Sequence, residues 1–192
     1  LCLKHSTQDK IAVISNYNSS DQFVISGHRE AVLHIGEVIK ADNRKCTPLN
    51  VSAAFHSPLM KHIVEEFTQE LKKYPYHTPN YPVISNVTGK PYTNSKDIIP
   101  MLSKHLVSPV LWKDTVDYFV ENNVEYAIEF GPKFILRNLI INCTDQIKAF
   151  SYDNPNDEAE LRQLIDCYTG KADEVLENKK RIDELVKECK EK

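Results

Sequence analysis

The chain lacks most of the features that mark a specialised protein. Its five cysteines, Cys2, Cys46, Cys143, Cys167 and Cys189, are scattered and never form a Cys-x-x-Cys pair. Such a set argues against a disulfide framework and against structural zinc, and fits a reducing compartment, the cytosol. The histidines include no His-x-x-x-His pair with an added carboxylate, so no metal centre is expected. A net charge of −3 gives no reason to expect nucleic acid or an anionic membrane as partner. No apolar run approaches the roughly 20 residues of a membrane-spanning helix, and no secretory or transit pattern is present. Glycine occurs only at positions 27, 36, 89, 131 and 170, never four apart. A Gly-x-Ser-x-Gly turn, which lifts a nucleophilic serine out of a strand-to-helix corner, is therefore absent from these residues.

What is present is ordinary globular composition, 41% hydrophobic and 27% charged over 192 residues, enough for the core of one domain or two. Acids outnumber bases from Ser151 onward, which leaves the body before it near neutral.

Two valine- and isoleucine-rich runs, 10–16 and 22–26, flank a stretch of Asn, Ser and Asp and read as strands joined by a turn. Residues 28–41 read as a helix with Ala31, Val32, Ile35 and Val38 on one stripe. A short buried strand is expected at 47–51. A helix over 58–73 follows, with Pro58 in its first turn and Ile63, Phe67 and Leu71 at helical spacing. After a loop rich in Tyr and Pro, the pattern predicts a strand at 83–86, helices at 97–105 and 112–122, and a strand at 125–130. Gly131 and Pro132 then open a helix over 133–141, with the proline in its first turn, and 149–151 is a last short strand. Beyond the linker 153–157, amphipathic helices are expected at 158–168 and 172–190. The second carries Val175, Ile182, Val186 and Cys189 along one face, and its polar face is dense in Lys and Glu. It suits a surface, with partner binding as the functional alternative.

His56 stands between the expected strand 47–51 and the expected helix 58–73. At such a corner an imidazole reaches a cleft without being buried on all sides, and it is the side chain best matched to proton transfer near neutral pH. The local pattern equally suits a histidine that only caps the helix.

The surrounding motifs occur in a telling order: Asn16-Tyr17-Asn18, then Phe23 to Gly27, Ala54-Phe55-His56-Ser57-Pro58, Ile84 to Gly89, Leu106 to Trp112, and Glu129-Phe130-Gly131-Pro132. Over roughly residues 11–150 the set resembles the malonyl-CoA:acyl carrier protein transacylases and the acyltransferase domains of fatty acid and polyketide synthases. The resemblance implies an α/β fold, the C-terminal part of an α/β-hydrolase-like acyltransferase with part of a ferredoxin-like small subdomain. Residues 1–52 would be the latter part of that subdomain, 53–152 the returning part of the large α/β subdomain, and 153–192 C-terminal helices. The family's serine elbow lies N-terminal to Asn-x-Asn, a motif that begins here at residue 16. The resemblance thus implies a chain entered partway through, with the nucleophile in an absent N-terminal portion.

The resemblance also implies roles. His56 would be general base and then acid, taking the serine proton and returning it to the thiol of CoA. Asn16 and Asn18 would lie close to the acyl pocket, while their plain reading is an Asx turn before a hairpin. Phe55, just before the histidine, is the residue that accompanies malonyl rather than methylmalonyl in polyketide acyltransferases, a ring filling the space of an α-methyl. In the family, main-chain carbonyls near the segment His105 to Pro109 orient the histidine. Many members carry Gln or Asn where this chain has His105, and a second imidazole there would act on His56 by like-charge repulsion. Ser20 replaces a common proline. The implied function is transfer of malonyl from CoA through an acyl-serine to the phosphopantetheine thiol of an acyl carrier protein, in the cytoplasm, with no bound cofactor. The alternative is a non-catalytic truncated or split fragment that binds carrier protein or a companion chain.

Overall fold

The two valine- and isoleucine-rich runs pair antiparallel in the computed structural model, which describes residues 1–7 and 9–170. Strand β1 (Ala12–Tyr17) and strand β2 (Phe23–Gly27) meet through a turn that Asn18 N–H closes on Gln22 O at 3.0 Å. Ile14 faces Ile25 and Asn16 faces Val24, so Ser15 has no opposite number and forms a β-bulge. At Gly27 a Cβ would lie 2.3 Å from Ile11 O and 2.7 Å from Ala12 Cα, a backbone approach only glycine permits.

The described residues divide into two compact units, 1–124 with 142–145, and 125–141 with 146–170. Val110 N–H donates to Ser15 O at 2.8 Å, and Tyr17 N–H to Val110 O at 2.9 Å. In the first unit the one-turn helix α1 (Cys2–His5) and helix α2 (Arg29–Ala41) cover the hairpin. Ala31 and Ile35 of α2 pack on Ala12, joined by Cys2, Ile25, Val32 and Ile39. Ile39, four residues beyond Ile35, takes the contact expected of Val38.

The expected strand at 47–51 is not formed. That segment is irregular, with Leu49 and Val51 exposed. Pro48 supplies the reason, since it has no N–H for a ladder and confines a strand to an edge or a bulge. The strand-strand-helix-strand order therefore stops after its helix. The expected helix 58–73 forms in two pieces, a 3-10 segment Pro58–Ile63 and helix α3 (Val64–Leu71). Beyond it come strands β3 (Ile84–Ser85) and β4 (Lys90–Pro91), antiparallel, then helices α4 (Ile98–His105) and α5 (Trp112–Glu121). Helix α4 packs on α3, where Thr68 Oγ1 donates to Ser103 Oγ at 2.7 Å.

In the second unit β5 (Tyr126–Glu129) runs parallel to β6 (Lys148–Ser151), the βαβ arrangement with helix α6 (Ile135–Cys143) between them. Pro132 does not sit in the first turn of α6. Lys133 adopts a positive φ of 71°, which interrupts the helical path and delays the helix to Ile135. Helix α7 (Glu158–Tyr168) follows, with Leu161 buried. Asp157 accepts from Ser151 N–H at 2.8 Å and pairs with Arg137 at 2.8 Å, pinning the chain as it enters that helix. The expected helix 172–190 lies outside the described residues. Among those described, no helix is long and apolar enough to cross a membrane.

Candidate active site

His56 sits in a turn rather than at a strand end, with a backbone φ of 57°. A β-carbon in this left-handed region costs on the order of 1–2 kcal/mol, and such strain recurs where a side chain must be aimed. The following residues hold it. Ser57 is fully buried, and its Oγ donates to Ala54 O at 2.6 Å while accepting from Leu59 N–H at 3.3 Å. The hydroxyl thus bridges the turn before His56 and the first turn after it, where Pro58 needs no N–H partner. The sequence signal for Ser57 was its place before a proline at a helix start, and its role was missed.

The imidazole is held from the far side. His56 Nδ1 lies 2.9 Å from the carbonyl oxygen of His105, the last residue of α4. A carbonyl only accepts, so Nδ1 carries the hydrogen and Nε2 is left with its lone pair. The two rings also face each other, centroids 4.5 Å apart and planes inclined by 30°. Burial, and then the charge of His56, push the His105 imidazole below its ordinary value. His105 Nε2 is buried and has no hydrogen-bond partner among the described residues.

The segment beyond His105 reaches the hairpin. Asn16 forms an isolated parallel bridge with Val110, and Leu111 N–H donates to Asn86 O at 2.8 Å. The bulge at Ser15 serves this junction, because the residue unpaired with β2 offers its carbonyl to Val110. Ser15 Oγ donates to Asn16 Oδ1 at 2.9 Å, which fixes the amide of Asn16. One segment, 105–111, therefore holds both His56 and Asn16, residues 40 apart. Asn18 lies at the hairpin turn, where its carbonyl accepts from the Cys143 thiol at 3.1 Å. Burial raises that thiol above its ordinary value, keeping it a donor. Asn18 is thus engaged through its backbone. Phe55, beside His56 in sequence, is 45% exposed. Ser15 escaped the sequence reading because no local pattern marks it, while Asn86 and Trp112 entered it only as members of the motifs Ile84 to Gly89 and Leu106 to Trp112. The Trp112 indole N–H is buried without a partner among the described residues.

What this arrangement offers is an imidazole whose Nδ1 hydrogen is fixed, the exposed Phe55 next to it in sequence, and neutral residues, Asn16 and Asn86, tied to one supporting segment. It can take and return a proton at Nε2.

Comparison with known proteins fits this picture. The chain is 34% identical over 186 residues to the malonyl CoA-acyl carrier protein transacylase of Bacillus subtilis, covering 97% of this chain and 46% of that protein. FabD from Acinetobacter baumannii superposes with a TM-score of 0.79 at 30% identity, covering 85% of this chain and 53% of that one. A malonyl-transacylase solved in complex with its type II PKS acyl-carrier protein superposes with a TM-score of 0.75 at 31% identity, covering 81% and 50%. The chain thus spans about half the length of the relatives it matches. The match to the acyl transferase domain family runs over residues 2–167 and takes in both the histidine turn and the segment that holds it, and the chain belongs to that family.

Proposed function

We propose that this chain supplies the proton-transferring histidine of a malonyl-CoA:acyl carrier protein acyltransferase, acting in fatty acid or polyketide biosynthesis. The observation that carries the reading is the His56 Nδ1 contact with His105 O at 2.9 Å, which leaves Nε2 free to act as base. In the first half-reaction Nε2 takes the proton of a serine hydroxyl supplied from outside these residues. The hydroxyl oxygen bonds to the malonyl carbonyl carbon, the C–S bond to CoA breaks, and His56 returns the proton to the leaving thiolate. In the second half-reaction the phosphopantetheine thiol of the carrier protein gives its proton to His56, its sulfur bonds to the malonyl carbonyl carbon, the C–O bond to serine breaks, and His56 returns the proton to the serine oxygen. Asn16 and Asn18 serve as neutral hydrogen-bonding groups near the acyl chain, and the exposed ring of Phe55 disfavours an α-methyl substituent by about 1–3 kcal/mol. The scattered thiols suit a cytoplasmic enzyme.

The test is transfer of malonyl to carrier protein, read by intact mass, in the complete enzyme with His56→Ala. A loss of roughly 10²–10⁴-fold is expected for removing a general base, and near wild-type turnover overturns the assignment. If the purified protein, with every chain present, takes up no acyl group from malonyl-CoA, a carrier-binding role without catalysis replaces the reading.

A further inference from the structure

His105 holds His56 twice. Its carbonyl oxygen takes the Nδ1 hydrogen at 2.9 Å, and its ring lies against the His56 ring with centroids 4.5 Å apart. The first contact belongs to the backbone and is open to any residue at this position. The second requires an aromatic side chain.

Two imidazoles this close do not both carry charge, because the second proton meets the first at short range. Which ring takes the single extra proton follows from their surroundings. A charged His105 needs hydrogens on both nitrogens, and its Nε2 is buried with no acceptor among the described residues. Burial of the ring works in the same direction. The charged residues of α3, which packs on α4, are Glu65, Glu66 and Glu70, all exposed, as is Lys104 on α4 itself. The segment Ser95–Asp97, also packed on α4, carries Lys96, which is exposed, and Asp97, whose carboxylate accepts from Thr93 Oγ1. Among the described residues, His56 is the one group that acts electrostatically on His105. The segment 106–111 contributes no titratable side chain.

We infer that the His105 side chain is a positioning residue, a ring kept neutral that fixes the plane of His56 and confines the shared proton to His56. This rests on the reading of His56 as the transferring base. A neutral aromatic face is a favourable neighbour for an imidazolium, so the stack favours the charged form that His56 adopts midway through each half-reaction.

The experiment is the pH dependence of malonyl transfer in the complete enzyme with His105→Ala and His105→Phe, both of which keep the carbonyl. Loss of the ring in His105→Ala moves the acid limb of the profile down by about half a pH unit, and the ring of His105→Phe restores it. A limb that moves up in His105→Ala shows the ring competing for the proton, and one that moves in neither variant shows mere filling of space. Either result overturns the inference. An NMR titration of the imidazole signals of the unmutated enzyme gives an answer independent of how the variants fold: His56 takes the proton first and His105 stays neutral through that step, and the reverse order overturns the inference. Failure of the base assignment is distinguishable, since it shows as activity retained in His56→Ala.

Discussion

The Nδ1 atom of His56 lies 2.9 Å from the main-chain oxygen of His105, a residue 49 positions further along the chain. The contact selects the tautomer, and the segment that makes it also binds the hairpin through Val110. The proposed proton chemistry and the scaffold therefore meet at a single stretch of backbone, and the following consequences can be measured.

The φ of 57° at His56 bears on stability apart from chemistry. Removing the ring as His56→Gly or as His56→Ala loses the same contacts, but only alanine keeps a β-carbon in the left-handed region. The glycine variant is expected to be more stable than the alanine variant by about 1 kcal/mol, measured by urea denaturation of the two side by side. Equal stability would mean the turn relaxes once the ring is gone.

Gly27→Ala places a methyl group 2.3 Å from Ile11 O and 2.7 Å from Ala12 Cα, both backbone atoms that cannot swing aside. The hairpin must open, at a cost of roughly 2 kcal/mol. The same denaturation measurement reports it, and the Val110 junction on the hairpin predicts that transfer activity falls as well.

In the second unit, Asp157 is 7% exposed and holds Arg137 and the Ser151 N–H together. Asp157→Ala leaves a guanidinium and a backbone donor without their acceptor. A loss of about 3 kcal/mol is expected, visible as a lower urea midpoint with an unchanged slope.

His105 predicts a pH dependence of stability. Its folded-state value is lowered from 6.5, by burial first and by His56 second. The unfolded chain then binds a proton there more readily than the folded one. Stability is full above the unfolded value and declines as pH falls through it toward the folded value. His105→Gln removes this contribution. The wild-type midpoint is therefore expected to drop relative to that of His105→Gln as the buffer is taken from pH 8 to roughly pH 5, and parallel curves would exclude the effect.

The sequence made much of this legible, though unevenly. The hairpin and helix α2 follow from local patterns of valine, isoleucine and turn residues, and those patterns are satisfied within about thirty residues of chain. His56 stood out because its neighbours Phe55, Ser57 and Pro58 form a recognisable string. Its placement does not come from a strand, which the apolar residues Leu49 and Val51 suggest and which Pro48, with no N–H for a ladder, disfavours. The aim of His56 comes instead from its own backbone angle and from the buried hydroxyl of Ser57. Pro132 misled in a similar way: its fixed φ suits a helix start, but the conformation of the next residue, Lys133, decides where α6 begins. The ring stack of His56 on His105 joins residues 49 apart. Short-range patterns hold no trace of such a pairing, which entered the sequence reading only through the family resemblance, because it depends on the packing of α4 rather than on either residue's neighbours.

The choice of a main-chain oxygen as the partner of His56 has a consequence for inheritance. A codon change at position 105 alters the ring but leaves the carbonyl in place, so no single substitution at that residue deletes the hydrogen-bond acceptor. The atom also has no acid or base form in the biological range, unlike the aspartate that plays this part in a serine-histidine-aspartate triad. The orienting contact is thereby protected both from point mutation of its own residue and from acidification, and variation at position 105 is free to tune the imidazole without disarming it.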